Sequence, residues 1–277
     1  MTQRRAFDKD YLKQEFDKLT DKTTQSLTLF LIGGGAMAFY GLKDATKDID
    51  IILTSSEDLN SLKAALENTG YKTPEPTFIT TPYNNMQTNA ILENKDGFRW
   101  DLFVNKVCNA LTFTVTMKQR ARQLYKGNRL TVSIAAKEDV FLFKGITERE
   151  ADLDDMRILA ESGLQWDIIN QECQSQSAAS GRIWEDALYQ KLIDLKAKHH
   201  IESSIEKLLR DSAEKKLITI TLLEEIKEGH ITIKGIAQAI KEPQGFVRKE
   251  LERLANEGIV KVDKSQKPHK FKINKAG

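Results

Sequence analysis

Residues 31–53, LIGGGAMAFYGLKDATKDIDIIL, decide how this chain is read. The apolar run Leu27 to Ile32 ends in Gly33, Gly34 and Gly35, and a short apolar segment then leads to Gly41. Thr46-Lys47-Asp48-Ile49-Asp50 opens a second apolar run. The order is strand, glycine turn, helix (about Ala36 to Gly41), loop, and a strand that begins on two carboxylates. Alternate strand residues share a face, so Asp48 and Asp50 point together while Ile49 turns to the core. Aspartate is depleted in strands, and paired carboxylates repel unless a cation neutralises them. The pattern points to a divalent metal site; a solvated strand end is the alternative.

Working outward, Asp8 to Leu19 has the apolar spacing of an amphipathic helix. Ser55-Ser56-Glu57-Asp58 can cap a helix that runs to about Asn68. Residues 71–85 hold three of the five prolines and read as loop or irregular strand. Thr88 to Leu92, the turn Asn94-Lys95-Asp96-Gly97 and Phe98 to Val104 form a predicted hairpin. Asp101 lies within that second strand. Sharing a pleat side with Arg99, it reads as part of an exposed face; on a strand neighbouring that of Asp48 and Asp50, it reads as a third metal ligand. Met117 to Arg122 is a short basic segment, and Leu130 to Ala135 a further strand.

From Lys137 to Gly163 the pattern is one long helix, with Val140, Phe141, Phe143, Ile146, Leu153, Met156 and Leu159 as its buried stripe. Arg149, Asp152 and Asp155 recur at three-residue spacing on its polar side, which an ordinary solvated helix with ion pairs also explains. Lys144 interrupts the apolar sequence and can reach a phosphate from the helix wall. Residues 171–181, QECQSQSAASG, are small and polar and predict a linker. Trp184 to His199 is a helix that caps the first domain or bridges to the second.

The last part predicts helices at 201–209, 218–226, 233–240 and 245–256, then two strands around a basic turn. That order is a winged helix-turn-helix. In this arrangement Arg248, Lys249 and Arg253 lie along the helix that enters a major groove, and Lys264, Lys267 and Lys270 lie on the wing. A protein contact or homodimer is the alternative to DNA or RNA as partner.

Composition sets the outer limits. The 277 residues hold about two domains, predicted at 1–180, 201–277 and a connecting helix at 181–200. A hydrophobic share of 40% with 30% charged residues is that of a soluble globular protein. No apolar run approaches the roughly 20 residues of a membrane span, and MTQRRAFDKDYLKQ has no signal-peptide core, which predicts a cytoplasmic protein. Cys108 and Cys173 give neither a zinc motif nor a disulfide framework. Residues 1–181 carry 22 basic and 25 acidic side chains, and residues 182–277 carry 20 and 15, so the net +2 divides into −3 and +5. The basic C-terminal part suits an anionic partner.

Gly33-Gly34 at a strand end, Asp48-Ile49-Asp50 on the next strand, the later Asp101 and the K…RxxDxxD series of Lys144, Arg149, Asp152 and Asp155 together resemble the nucleotidyltransferase superfamily typified by DNA polymerase beta. The resemblance is closer to small prokaryotic nucleotidyltransferases, some of them toxins of toxin–antitoxin systems, and covers about residues 25–165. It implies an α+β fold, a mixed sheet flanked by helices, ahead of the helical segment and the winged helix. It also implies transfer of a nucleoside monophosphate from ATP or another NTP to a hydroxyl on RNA, protein or a small molecule. Asp48, Asp50 and Asp101 would hold two Mg²⁺ ions, with Lys144 as a fourth catalytic residue. Gly33, Gly34, Gly35, Thr46, Lys47, Arg149 and Asp152 would contact nucleotide, the glycine-turn N–H groups and helix dipole meeting phosphate. Relatives often have a Gly-Ser turn, or an arginine two residues before the threonine; here the turn has no hydroxyl and that position is Asp44, beside Lys43. The competing expectation is a DNA-binding regulator whose first domain senses nucleotide or is inactive.

Overall fold

The structure, a computed structural model, describes residues 5–75, 88–147, 149–265 and 267–274. The chain divides into two compact units, residues 1–206 and 207–277.

In the first unit, β1 (Phe7–Asp8) and α1 (Lys9–Thr20) precede β2 (Leu27–Ile32), α2 (Gly33–Phe39), β3 (Ala45–Thr46), β4 (Asp48–Leu53) and α3 (Ser56–Asn68). Asp8 caps α1 by accepting from the Tyr11 N–H at 2.9 Å, and Ser55 caps α3 by accepting from the Asp58 N–H at 3.0 Å. Part of the loop predicted at 71–85 lies outside the described residues. Next come β5 (Ala90–Glu93), β6 (Arg99–Val104), β7 (Lys106–Val107), β8 (Leu111–Thr112), α4 (Val115–Arg120), β9 (Arg122–Lys126) and β10 (Leu130–Ile134). The unit ends with α5 (Lys137–Gly145), α6 (Glu150–Glu161), α7 (Trp166–Ser180) and α8 (Trp184–His199).

Six strands form one mixed sheet in the order β5-β6-β4-β2-β10-β9. β4 runs parallel to β6 and antiparallel to β2, which in turn runs parallel to β10. The central strands read as unbroken apolar runs because both faces are covered: Leu29, Leu31, Ile49, Ile51, Leu102 and Val132 are fully buried. Trp100, on β6, is buried too and packs edge-on against Phe16 of α1.

Three expectations are corrected here. The single long helix from Lys137 is two, α5 ending at Gly145 and α6 beginning at Glu150 and packing beside α5. The linker at 171–181 is mostly the C-terminal half of α7. Its Glu172, Gln176 and Ser177 are buried, yet each has partners. Glu172 accepts from Thr114, Thr116 and Arg120 at 2.7–2.8 Å, Gln176 bridges the Thr112 backbone, and Ser177 donates to Glu185 at 2.5 Å. Buried polar groups are tolerated when so satisfied. The basic segment at 117–122 divides into the end of α4 and the start of the edge strand β9.

In the second unit one helix, α9 (Glu206–Lys227), replaces the two expected over 201–226. It is followed by α10 (Ile233–Ile240), α11 (Gln244–Asn256), β11 (Val260–Asp263) and β12 (Lys270–Ile273). Thr232 caps α10 by accepting from the Gly235 N–H at 3.1 Å, and Lys241 ends it in the left-handed region at φ 58°. β11 and β12 form an antiparallel hairpin, and the Phe271 N–H reaches the Ile231 carbonyl at 2.8 Å. Leu222, Ile226, Ile236, Val247, Leu251, Leu254, Val260 and Phe271 make a core of their own.

Candidate active site

The site begins at the end of β2. Gly33 takes φ +62°, a conformation that glycine adopts without the penalty of a side chain. A Cβ on Gly33 would lie 1.9 Å from Asp50 Oδ2, so the glycine turn and the carboxylate are in close packing. At Gly34 a Cβ would lie 2.8 Å from Thr46 Oγ1 and 3.8 Å from Lys43 Nζ. Thr46 in turn donates to the Asp48 carbonyl at 2.9 Å, joining the approach to β4 to its first residue.

β4 carries Asp48 and Asp50, both half-buried, with the buried Ile49 between them. The parallel register places Asp50 directly opposite Asp101 on β6. Asp101 is fully buried and Arg99 is 4% exposed, which overturns the exposed-face reading of that strand. Arg99 instead pairs with Glu93 on the neighbouring β5.

Asp48, Asp50 and Asp101 line a cavity of about 350 Å³. The cavity also takes in Gly33, Gly34, Thr46, Lys47, Lys144, Arg149 and Asp152, so residues from five separate segments meet around it. Apolar side chains of Phe103, Val107, Val140 and Phe143 complete the lining. Gly35 is the exception among the predicted residues. It is buried, and a Cβ there would meet Leu31, Ile49 and Leu12, so it serves the packing of α2 on the sheet.

The corner between α5 and α6 holds a tight ionic group. Lys144 Nζ lies 2.9 Å from Asp152 Oδ1 and 2.7 Å from Asp155 Oδ2. Asp152 also accepts from the Thr147 hydroxyl and has Arg149 Nε at 3.6 Å. Asp155 accepts from Lys43 at 2.9 and 3.2 Å. Burial would depress the Lys144 ammonium, but Asp152 and then Asp155 outweigh it and hold its pKa above the usual value. Burial likewise works to raise the Asp155 carboxyl, and Lys144 with Lys43 reverses this and lowers it. Lys144 is thus fastened on two sides, with its ammonium committed to carboxylates of this chain.

The carboxylate side of the cavity has the opposite character. Burial, and then the adjacent Asp48 charge, push the Asp50 carboxyl up to about 7. Burial, followed by Asp50 and Asp152, raises the Cys108 thiol to about 11. Sequence reasoning did not single out Lys43 or Cys108, although both line the cavity. The signal for Lys43 was its place between the glycine turn and the carboxylate strand; Cys108 gave none.

In the second unit Arg248 and Lys249 of α11, and Lys264 and Lys267 of the hairpin loop, are exposed. Arg253 departs from that group. Its guanidinium is held by Glu250 at 2.8 Å, Glu257 at 3.0 Å and the Thr219 hydroxyl of α9 at 3.0 Å. Arg253 therefore fastens α11 to α9.

An all-oxygen set of carboxylates is the donor chemistry of a hard divalent cation. The bare Gly33 lets the Asp50 carboxylate pack against the end of β2, and that carboxyl is raised first by burial and then by the Asp48 charge, the second of which a cation would offset. The donor types suit such an ion; among the described residues, the group whose ligand atoms all lie within 4.8 Å of one another is Glu225, Glu228 and His230 of the second unit. No helix among the described residues is long and apolar enough to cross a membrane. No curated protein matches the sequence. Residues 10–205 match the family described as nucleotidyltransferase of unknown function (DUF6036), and the chain, with its mixed sheet and this cavity, belongs to that family.

Proposed function

We propose that residues 1–206 form a divalent-cation-dependent nucleotidyltransferase that moves a nucleoside monophosphate from an NTP to a hydroxyl acceptor. The observation that carries this reading is the register of Asp50 opposite Asp101, with Gly33 packed against Asp50. Asp48, Asp50 and Asp101 would hold Mg²⁺, which when bound supplies charge neutralisation at the triphosphate and at the attacking oxygen. The N–H groups at the start of α2, beside Asp50 and Thr46, would meet a phosphate. The acceptor oxygen forms a bond to the α-phosphorus as the bond to the β-phosphate oxygen breaks, and pyrophosphate leaves. Asp101, buried beside Asp50, orients the acceptor hydroxyl and takes its proton. Most of the catalytic effect asked of the protein is positioning and charge compensation. Incubation of the protein with each labelled NTP, Mg²⁺ and candidate RNA, protein and small-molecule acceptors tests this. Release of pyrophosphate that disappears in Asp48→Asn and Asp101→Asn is the expected result; no release with any of them counts against it.

The second unit supports a winged-helix reading, with α10 and α11 as the helix-turn-helix and β11–β12 as the wing. The exposed Arg248 and Lys249 on α11 favour nucleic acid as its partner. A nucleic-acid-binding regulator with a nucleotide-sensing first unit is therefore the second reading. It requires salt-dependent DNA binding that weakens when Arg248 and Lys249 are replaced.

A further inference from the structure

Two observations meet at Gly34. The place its side chain would occupy is flanked by the Thr46 hydroxyl at 2.8 Å and the Lys43 ammonium at 3.8 Å. The bare glycine thus lets two polar groups, the Thr46 hydroxyl and the Lys43 ammonium, lie close against the start of α2. The second observation concerns the partner of Lys43. Asp155 accepts from Lys43 at 2.9 Å and from Lys144 at 2.7 Å, so one carboxylate serves two ammonium groups. Lys144 is the inner of the two, buried and also fastened to Asp152. Lys43 is the outer one, with 36% of its side chain exposed. When Lys43 departs, Asp155 keeps a partner.

We propose that Lys43 is a phosphate-binding cation of this cavity, resting on Asp155 and passing to a triphosphate oxygen that lies beside Gly34. The assignment rests on the nucleotidyltransferase reading and adds to it the group that compensates for the absent turn hydroxyl. A lysine suits the exchange: its ammonium is a compact charge on a flexible stem, able to change partners by rotating a few bonds. A polyphosphate oxygen competes with a carboxylate that is already neutralised from its other side. Lys144, by contrast, cannot leave without stranding Asp152.

Inorganic tripolyphosphate with Mg²⁺, titrated calorimetrically into the full chain, tests the proposal, with Mn²⁺ binding followed separately by electron paramagnetic resonance. Lys43→Ala is expected to weaken tripolyphosphate binding about tenfold or more, the scale of one charge-assisted hydrogen bond. Lys43→Arg is expected to stay within about threefold, and Mn²⁺ binding to persist in both variants. Asp155→Asn, which removes the competing carboxylate, should bind tripolyphosphate no more weakly than the wild type. A merely structural pair would instead make Lys43→Ala and Asp155→Asn equally defective. Wild-type affinity in Lys43→Ala overturns the assignment while leaving the nucleotidyltransferase reading intact. A wild-type protein that takes Mn²⁺ but no tripolyphosphate overturns both.

Discussion

A Cβ placed on Gly33 would lie 1.9 Å from the Oδ2 of Asp50. The end of β2 and the carboxylate of β4 therefore cannot both keep their positions once the turn carries a side chain. Gly33→Ala must move Asp50 or the turn, and it must also accept φ +62°, at a cost of about 1–2 kcal/mol. We expect Mn²⁺ affinity to fall about 10- to 100-fold, the scale seen when a metal ligand loses its support. Thermal unfolding together with Mn²⁺ titration checks this; unchanged metal affinity in a folded Gly33→Ala protein would contradict the packing described.

Lys144 makes a different kind of prediction. Its ammonium stands between Asp152 and Asp155, and both it and Asp152 are buried. Lys144→Met leaves the Asp152 carboxylate buried with only the more distant Arg149 and a hydroxyl. Breaking a buried pair in this way costs about 3 kcal/mol or more, so urea unfolding should show a large loss of stability. A residue that only touched substrate would lose activity with stability preserved.

The pH dependence of the metal-free protein follows from Asp50. Its folded carboxyl titrates at about 7, against an ordinary value near 4 in the unfolded chain. Between those values the folded protein holds a proton that the unfolded chain has released. The contribution of Asp50 is therefore most favourable below about pH 4 and is lost as pH rises through 7, on the order of 4 kcal/mol. A bound cation needs the deprotonated carboxylate, so Mn²⁺ affinity should rise over the same interval, with proton release on binding. Asp50→Asn should flatten both dependences, measured by thermal melts and metal titration from pH 5 to 8.

Much of this was legible in the sequence. The β2–glycine–β4 stretch announced itself because apolar runs, glycines and alternating aspartates are local signals. Register was not local: that Asp101 faces Asp50, and that Lys43 reaches toward Gly34, depends on which strands pair and how the loop returns. The α7 helix was missed for a similar reason. Glutamines and serines read as linker when their partners, Thr112, Thr114, Thr116 and Arg120, stand more than fifty residues earlier. The polar run RDSAEKK hid the continuity of α9, and the break after Gly145 hid in an apolar stripe that continues on both sides of it.

For the second unit, Arg253 separates binding from stability. Arg248→Ala with Lys249→Ala should reduce the salt dependence of DNA binding by roughly 0.9 in log–log slope for each phosphate that is no longer neutralised. Arg253→Ala should leave that slope nearly unchanged. It should instead speed amide exchange in α11 by about five- to tenfold, because its partners Glu250, Glu257 and Thr219 lose about 1 kcal/mol of cross-linking. Equal effects of both changes on the slope would place Arg253 in the nucleic-acid interface after all.

The clasp between α7 and α4 bears on where this polypeptide can be divided. Arg120 is held by Asp139 at 2.6 Å and by Glu172 at 2.7 Å, and Glu172 also gathers the two threonines at the start of α4. A fragment cut after Gly163 would keep every residue around the cavity and still lose Glu172, one of the two acids that secure Arg120. The smallest autonomous fragment therefore extends past Ser180, well beyond the last residue that faces the cavity, and a shortened version should be recovered as aggregate even though its chemical groups are complete.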